Sequence, residues 1–244
     1  MISTAELERA AAGGWRAPEE APLGDWLLRA AAGFTGRANS ALAIGSAGMP
    51  LADAIDAVGD WYRARGMPPT VAVPYPTGQP ERSAVDAYLA ERSWRITHGA
   101  IVMTARPQPV SGQADLVEVQ DQPDEGWLSL YQYRGNRPPP ISAQLLRSAP
   151  WQAFASIRRE GRTVAIGRVA VADGWAGLTA VAVHPNCQRR GLGQAITAGL
   201  VNAAAAYGVS GVYLQVEDDN LAARSLYQGL GFTEHHGYHY RVAG

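Results

Sequence analysis

The residues best suited to chemistry lie between Thr179 and Phe232. An apolar run, Val181-Ala182-Val183, leads into His184-Pro185-Asn186-Cys187 and then into Gln188-Arg189-Arg190-Gly191-Leu192-Gly193-Gln194, which opens directly into a helical pattern. A helix N-terminus offers unpaired N–H groups and the positive end of the macrodipole. Glycines at 191 and 193 admit close backbone approach to an anionic ligand and φ values closed to other residues. With Arg189 and Arg190 adding positive charge, the segment reads as a pyrophosphate cradle.

Three kinds of cradle compete for this pattern. A Walker loop requires Lys and then Ser/Thr after its last glycine, where this chain has Gln194-Ala195. A dinucleotide fingerprint requires a third glycine three residues after Gly193, where Ile196 stands. Glu217 sits where a ribose-binding acid would belong, but only one more helix and one extended segment follow, too few for a doubly wound sheet. The third kind is Gln/Arg-x-x-Gly-x-Gly/Ala, matched by Gln188, Gly191 and Gly193. Downstream, Asn220-x-x-Ala223-x-x-x-Tyr227 precedes Leu230-Gly231-Phe232. Seven residues make nearly two helical turns, so positions 220, 223 and 227 are expected on one face, presenting an amide and a phenol to one groove. Gly231 supplies a left-handed stop.

On these two segments, in this order and spacing, the stretch from about Leu116 to Arg241 resembles the GNAT superfamily of N-acetyltransferases. The resemblance implies an α/β fold with a mixed sheet, acetyl-CoA as co-substrate and no metal. It implies that the strand before the loop, Thr179–Val183, splays from the next parallel strand, Val212–Val216, so that cofactor pantetheine pairs with the exposed edge. The implied cofactor-binding residues are Val181, Val183, Gln188, Arg189, Arg190, Gly191, Leu192, Gly193, Gln194, Asn220, Ala223 and Tyr227. The main-chain N–H near Val183 would polarise the acetyl carbonyl. In the family's usual mechanism the amine attacks directly, so Cys187 needs no nucleophilic role. Tyr227 is the expected general acid: the leaving thiolate has a conjugate pKa of roughly 8–9 and a phenol about 10.

The general base departs from a common family pattern. Many members carry a Glu on the strand before the loop, and Trp175–Val183 has no acid. Glu217 is the catalytic candidate in its place, with His184 and a water chain as open alternatives. Trp127, Tyr131 and Tyr133 fall on early helices that in this family border the acceptor pocket, and each has core packing as an equal alternative. His235, His236 and His239 read as a solvated strand end without a ligand set at metal spacing.

The elements that must position these residues follow from pattern. Met1–Leu23 reads as a short helix and a loop containing Pro18 and Pro22. Strands are expected at Trp26–Ala32 and Ser40–Ile44 around a Gly33–Gly36 turn, and helices at Leu51–Arg65 and Glu81–Arg92 around a strand at Val71–Val73. Trp94–Thr97 and Ala100–Thr104 read as a hairpin around His98-Gly99. A polar, Pro-rich linker follows at Arg106–Gln113. Then come a strand at Leu116–Val119, short helices at Glu125–Tyr133 and Ile141–Arg147, and strands at Trp151–Arg158, Thr163–Ala172 and Trp175–Val183. Arg158-Arg159 ends the first of these strands, with Glu160-Gly161 as the turn. A helix at Gly193–Tyr207, a strand at Val212–Val216, a helix at Asn220–Leu230 and an extended Phe232–Tyr240 complete the chain. The similar element order in the two parts suggests an internal repeat, two tandem GNAT-like halves. The expected division is 1–106, a degenerate half without the loop; 107–113, linker; and 114–244, the catalytic domain. The arrangement resembles actinobacterial tandem acetyltransferases.

Composition bounds the alternatives. The 244 residues carry a net charge of −1, with 47% hydrophobic and 18% charged residues, as in an ordinary globular protein. No basic block is present for releasing nucleic-acid counterions. All 21 basic residues are arginine, which points to a GC-rich bacterial gene. The single cysteine precludes an intramolecular disulfide. No leader or bilayer-spanning run is visible, so a cytoplasmic monomer or homodimer is expected, without membrane or nucleic-acid partners. The reading is an N-acetyltransferase moving acetyl from acetyl-CoA to a primary amine by direct attack in a ternary complex, the acceptor being a small-molecule amine, amino acid or peptide amine. A non-catalytic acyl-CoA sensor is the alternative, and a nucleotide-binding oxidoreductase fragment a third.

Overall fold

The computed structural model describes residues 2–79, 83–110, 116–133 and 135–244. Residues 111–113 of the expected linker, and Glu81 and Arg82 of the expected second helix, lie outside them. The elements are α1 (Thr4–Gly14), β1 (Glu19–Leu23), β2 (Trp26–Ala30), β3 (Ala41–Leu42), α2 (Leu51–Arg63), β4 (Thr70–Pro76), α3 (Ala84–Glu91), β5 (Arg95–Ala105) and β6 (Glu118–Gln120). They continue with α4 (Glu125–Leu130), α5 (Ser142–Leu146), β7 (Trp151–Arg159), β8 (Arg162–Ala172), β9 (Trp175–Val183), α6 (Leu192–Tyr207), β10 (Gly211–Glu217), α7 (Leu221–Gly229) and β11 (Thr233–Val242).

The strands form one mixed sheet in the order β1-β2-β3-β4-β11-β5-β10-β9-β8-β7-β6. Two neighbouring pairs, β3/β4 and β9/β10, are parallel. The order three strands, helix, strand, helix, strand occurs twice, first over β1 to β5 and again over β7 to β11. The last strand of each run crosses into the other: β5 lies between β10 and β11, and β11 lies between β4 and β5. Side chains alternate across each strand, so the two faces carry separate cores. Val212, Leu214 and Val216 of β10 pack with Leu192, Ile196 and Leu200 of α6. Tyr213, between them, points to the other face and packs with Leu7 and Ala11 of α1. Helices α2, α3, α6 and α7 therefore cover one face, and α1, α4 and α5 the other.

Two sequence expectations are corrected. The hairpin around His98-Gly99 does not form. β5 runs unbroken because β11 pairs along nearly its whole length, from Thr233↔Thr104 to Val242↔Arg95, while β10 pairs with its second half, from Val212↔Ala105 to Glu217↔Ala100. Gly99 serves space rather than a turn: a Cβ there would lie 3.1 Å from the Tyr238 carbonyl oxygen and 3.2 Å from Asp218 Oδ2. The expected loop at Pro18–Pro22 contains β1. It lies at one end of the strand order, an edge where a proline's missing donor is tolerated. The β7–β8 turn forms as read, with positive φ at both Glu160 (51°) and Gly161 (74°), the two-residue geometry that matches strand twist.

Candidate active site

β9 and β10 begin as a ladder and then part. Their pairing runs from Gly211↔Trp175 to Leu214↔Leu178 and stops there. Beyond it β9 stays with β8, through a register shift between Ile166 and Arg168, while β10 stays with β5. Ala180 carries a φ of 54°, in the left-handed region, at this irregularity, and such a bulge bends a strand. The result is a fork between 179–183 and 215–217. His184 N donates to Val164 O on β8 (2.9 Å). Backbone N–H groups alternate in direction along a strand, so those of Val183 and Val181 point into the fork.

The fork leads to the cradle. After β9 a single tight turn, Pro185–Cys187, is capped by His184, whose Nδ1 accepts from Asn186 N at 3.3 Å. That bond ties His184 into the turn. Gly191 occupies the N-cap of α6 with φ 76° and ψ 0°, and Arg189 just before it has φ 57°. The first N–H groups of α6 are thus left without a side-chain cap. Gly193 has a different reason: a Cβ there would meet Leu226 Cδ1 at 3.3 Å and Val183 Cγ2 at 3.8 Å, where α6, α7 and β9 come together. Gln188, Arg189, Arg190, Gly191 and Gln194 are exposed, while Leu192 is buried and anchors the helix start. Gln188 Nε2 reaches back to Val183 O at 3.5 Å.

α7 supplies the second half of the site. Asn220 lies before the helix rather than on its face, because its side-chain oxygen accepts from Ala223 N (3.1 Å) as the N-cap. Ala223 and Tyr227 pack against the core beneath α6, and Tyr227 meets Phe232 edge-on at 5.9 Å. Among the described residues the Tyr227 hydroxyl has no hydrogen-bond partner, and burial pushes the phenol up to about 12. Glu217 ends β10, exposed, on the face carrying Tyr213 and Gln215. Tyr227 and Glu217 therefore approach the fork from opposite faces of the sheet.

On the Glu217 face, Trp127 is core: its Nε1 donates to Gly167 O (3.2 Å) and its ring stands edge-on to Phe154 at 5.2 Å. Tyr131 packs beside it, pushed up to about 12 by burial. Tyr133 lies farther out, edge-on to Phe34 at 5.0 Å. The histidine run is not solvated as expected. His236 Nε2 is 2.8 Å from Glu8 Oε1, and buried His239 shares Asp86 with Arg241, a structural cluster. Among the described residues no group of three or more His, Cys, Asp or Glu is placed to hold a metal, and no helix is long and apolar enough to cross a membrane. A cleft of about 1140 Å³ runs along the middle of α6 past Thr197, Val201 and Phe232, away from the loop before that helix.

Sequence reasoning missed two arginines at the apex of the fork. Gln215, the first β10 residue past the last β9 pair, accepts from Arg37 Nη1 at 2.8 Å. Thr179, its counterpart on β9, receives a long 3.5 Å contact from Arg168 Nη1. Arg168 is fully buried, and burial lowers its pKa to about 10. No local pattern signals either contact.

The mixed sheet, with a parallel pair that forks towards a glycine-capped helix, has the GNAT acetyltransferase fold. The chain belongs to the family described as "Probable histone acetyltransferase Rv0428c C-terminal", whose sequence model matches residues 3–241. It is 30% identical over 246 residues to the "Probable histone acetyltransferase Rv0428c" of Mycobacterium tuberculosis, covering 97% of this chain and 73% of that one. It is also 28% identical over 251 residues to the "Uncharacterized N-acetyltransferase YobR" of Bacillus subtilis, covering 99% of each. Among solved structures, a GCN5-related N-acetyltransferase from Kribbella flavida superposes with a TM-score of 0.71 at 18% identity, over 100% of this chain and 96% of that one, a likeness of fold.

Proposed function

We propose that this acetyltransferase moves an acetyl group from acetyl-CoA to a primary amine by direct attack, with no acyl-enzyme. The fork carries the reading. Two strand edges open immediately before an uncapped helix N-terminus, so an extended pantetheine can pair with β9 while its pyrophosphate meets α6. Arg189 and Arg190 add charge to the cradle formed by Gln188 to Gln194. The N–H of Val183, or of Val181 before it, donates to the oxyanion. Tyr227 faces the leaving sulfur from the α7 side, and Glu217 receives the amine's proton, directly or through water, from the other. Cys187 is not used.

In this reading the chain is two GNAT-like halves, cytoplasmic, of which only the second binds cofactor. The turn before α2, corresponding to the cradle, is filled by the chain's own carboxylate: Ser46 N donates to Asp25 Oδ2 at 2.8 Å. Pro50 at the N-cap of α2 makes no side-chain cap. A second reading, a non-catalytic acyl-CoA sensor, rests on one observation: β9 carries no acidic residue. Calorimetric titration with acetyl-CoA, with NADH as control, tests the site. The expected result is micromolar binding of acetyl-CoA, about −8 kcal/mol, and none of NADH. Acetyl-CoA binding without acetylated product from any amine supports the sensor, and binding of NADH instead overturns both.

A further inference from the structure

We propose that Arg37, backed by Arg168, forms a carboxylate-binding site at the apex of the fork, so that the acceptor is a small amine bearing a carboxylate, such as an amino acid. This rests on the acetyltransferase reading and specifies its substrate class. The two residues that follow the last β9/β10 pair, Thr179 and Gln215, each contact an arginine, Arg168 and Arg37 respectively. Among the described residues neither guanidinium has a carboxylate within ion-pair distance; the other buried arginine, Arg29, is likewise held only by Ser40, whereas the half-buried Arg65, Arg158, Arg224 and Arg241 are each paired. Arg168 is held instead by carbonyl oxygens, Leu146 O at 2.8 Å and Gly14 O at 3.1 Å. Glu8 lines a small cavity with Arg37 and Arg29, but its carboxylate is engaged by His236 Nε2 at 2.8 Å.

Uncompensated positive charge inside a protein is costly unless an anion arrives to neutralise it. Arg168 is sealed, so it contributes field, whereas half-buried Arg37 contributes hydrogen bonds. Arg37 is also preorganised. It stacks over Trp15, 5.2 Å from the ring centroid, in a loop built around buried Asn39. Asn39 Oδ1 accepts from Ala31 N (2.8 Å) and Gly33 N (2.9 Å), and its Nδ2 donates to Phe34 O (2.7 Å) and Thr35 O (2.8 Å). Gln215 takes only one Arg37 nitrogen, leaving the rest of the fork-shaped donor set for a carboxylate. Glu217 lies two residues along the same strand face, about 6.5–7 Å away. A carboxylate held at Arg37 therefore leaves the amine of the same small molecule on the strand face that Glu217 ends.

The test compares matched acceptors, free amino acids and their carboxamides, by CoA release in the wild-type chain and in Arg37→Gln and Arg37→Lys. The wild type is expected to favour the free acid by about tenfold or more in kcat/KM, Arg37→Gln to lose that preference, and Arg37→Lys to retain part of it. Equal use of acid and amide by the wild type, or preference only for protein lysines, overturns the carboxylate site and leaves the acetyltransferase standing. A direct titration of N-acetylglycine against its amide, with CoA present, separates the two claims. Binding of the acid by the wild type and not by Arg37→Gln supports the site even if no amine is turned over. Identical binding to both proteins overturns it.

Discussion

Removing one oxygen from Tyr227 measures how the sulfur leaves. Burial pushes this phenol up to about 12, while the departing thiolate has an ordinary conjugate pKa of about 8.5. Full proton transfer is thus uphill by about 3.5 units, or about 5 kcal/mol at 1.36 kcal/mol per unit. A hydrogen bond from the phenol to the developing thiolate contributes about 1.5–3 kcal/mol without that transfer. The hydrogen bond therefore carries the effect, and the proton stays on the phenol while the sulfur leaves as a thiolate. Tyr227→Phe should lower kcat by roughly 10- to 100-fold, below the upper range for general-acid catalysis. The ring keeps its contact with Phe232, so the fold and the acetyl-CoA dissociation constant should hold. Steady-state CoA release with free amino acids, beside calorimetric affinity, reads both. The wild-type rate should also show no alkaline limb from this group below about pH 11. An unchanged kcat, or a weakened cofactor affinity with kcat intact, would refute the role; a limb near pH 10 that vanishes in Tyr227→Phe would refute the burial argument.

Gly191→Ala forces a side chain into the left-handed N-cap of α6, at about 1–2 kcal/mol. Acetyl-CoA affinity should fall by about 5- to 30-fold; unchanged calorimetric affinity would show that the cradle lies elsewhere. Alkaline stability offers a separate check, because Tyr62 and Tyr131 are each pushed up to about 12 by burial. A raised pKa in the fold means that stability is complete below about pH 10 and is lost as pH rises towards 12, by about 2–3 kcal/mol for each ring. The chain has no lysine, so denaturant unfolding followed with tyrosinate absorbance reads these phenols without lysine titration. A stability flat to pH 12 would contradict their burial.

Much of this was legible in the residues. β9 begins and ends where its apolar run does, and β7 and β8 extend their expected spans by one residue. The glycine spacing anticipated the left-handed start of α6 and its close crossing with α7, because both are local demands that glycine meets. What escaped was non-local. His98-Gly99 resembles a turn until β11 is known to run beside it. Pro18 and Pro22 mark a loop unless the strand lies on an edge. Asn220 was read for its spacing to Tyr227, whereas its preference for capping placed it one step before the helix. Arg37 and Gln215 are 178 positions apart, and no periodicity connects them.

The crossing of the two last strands has a consequence for the newborn chain. β5 leaves the ribosome long before β10 and β11, the strands that flank it, exist. β4 must likewise wait for residues 233–242 before both its edges are covered. Until those strands are made an apolar sheet edge is exposed, open to pairing with other chains. The early segment therefore cannot finish as an independent unit, as a tandem array would. The two runs close on each other only once β11 is available, and lengthening or blunting that strand would disturb both runs at once.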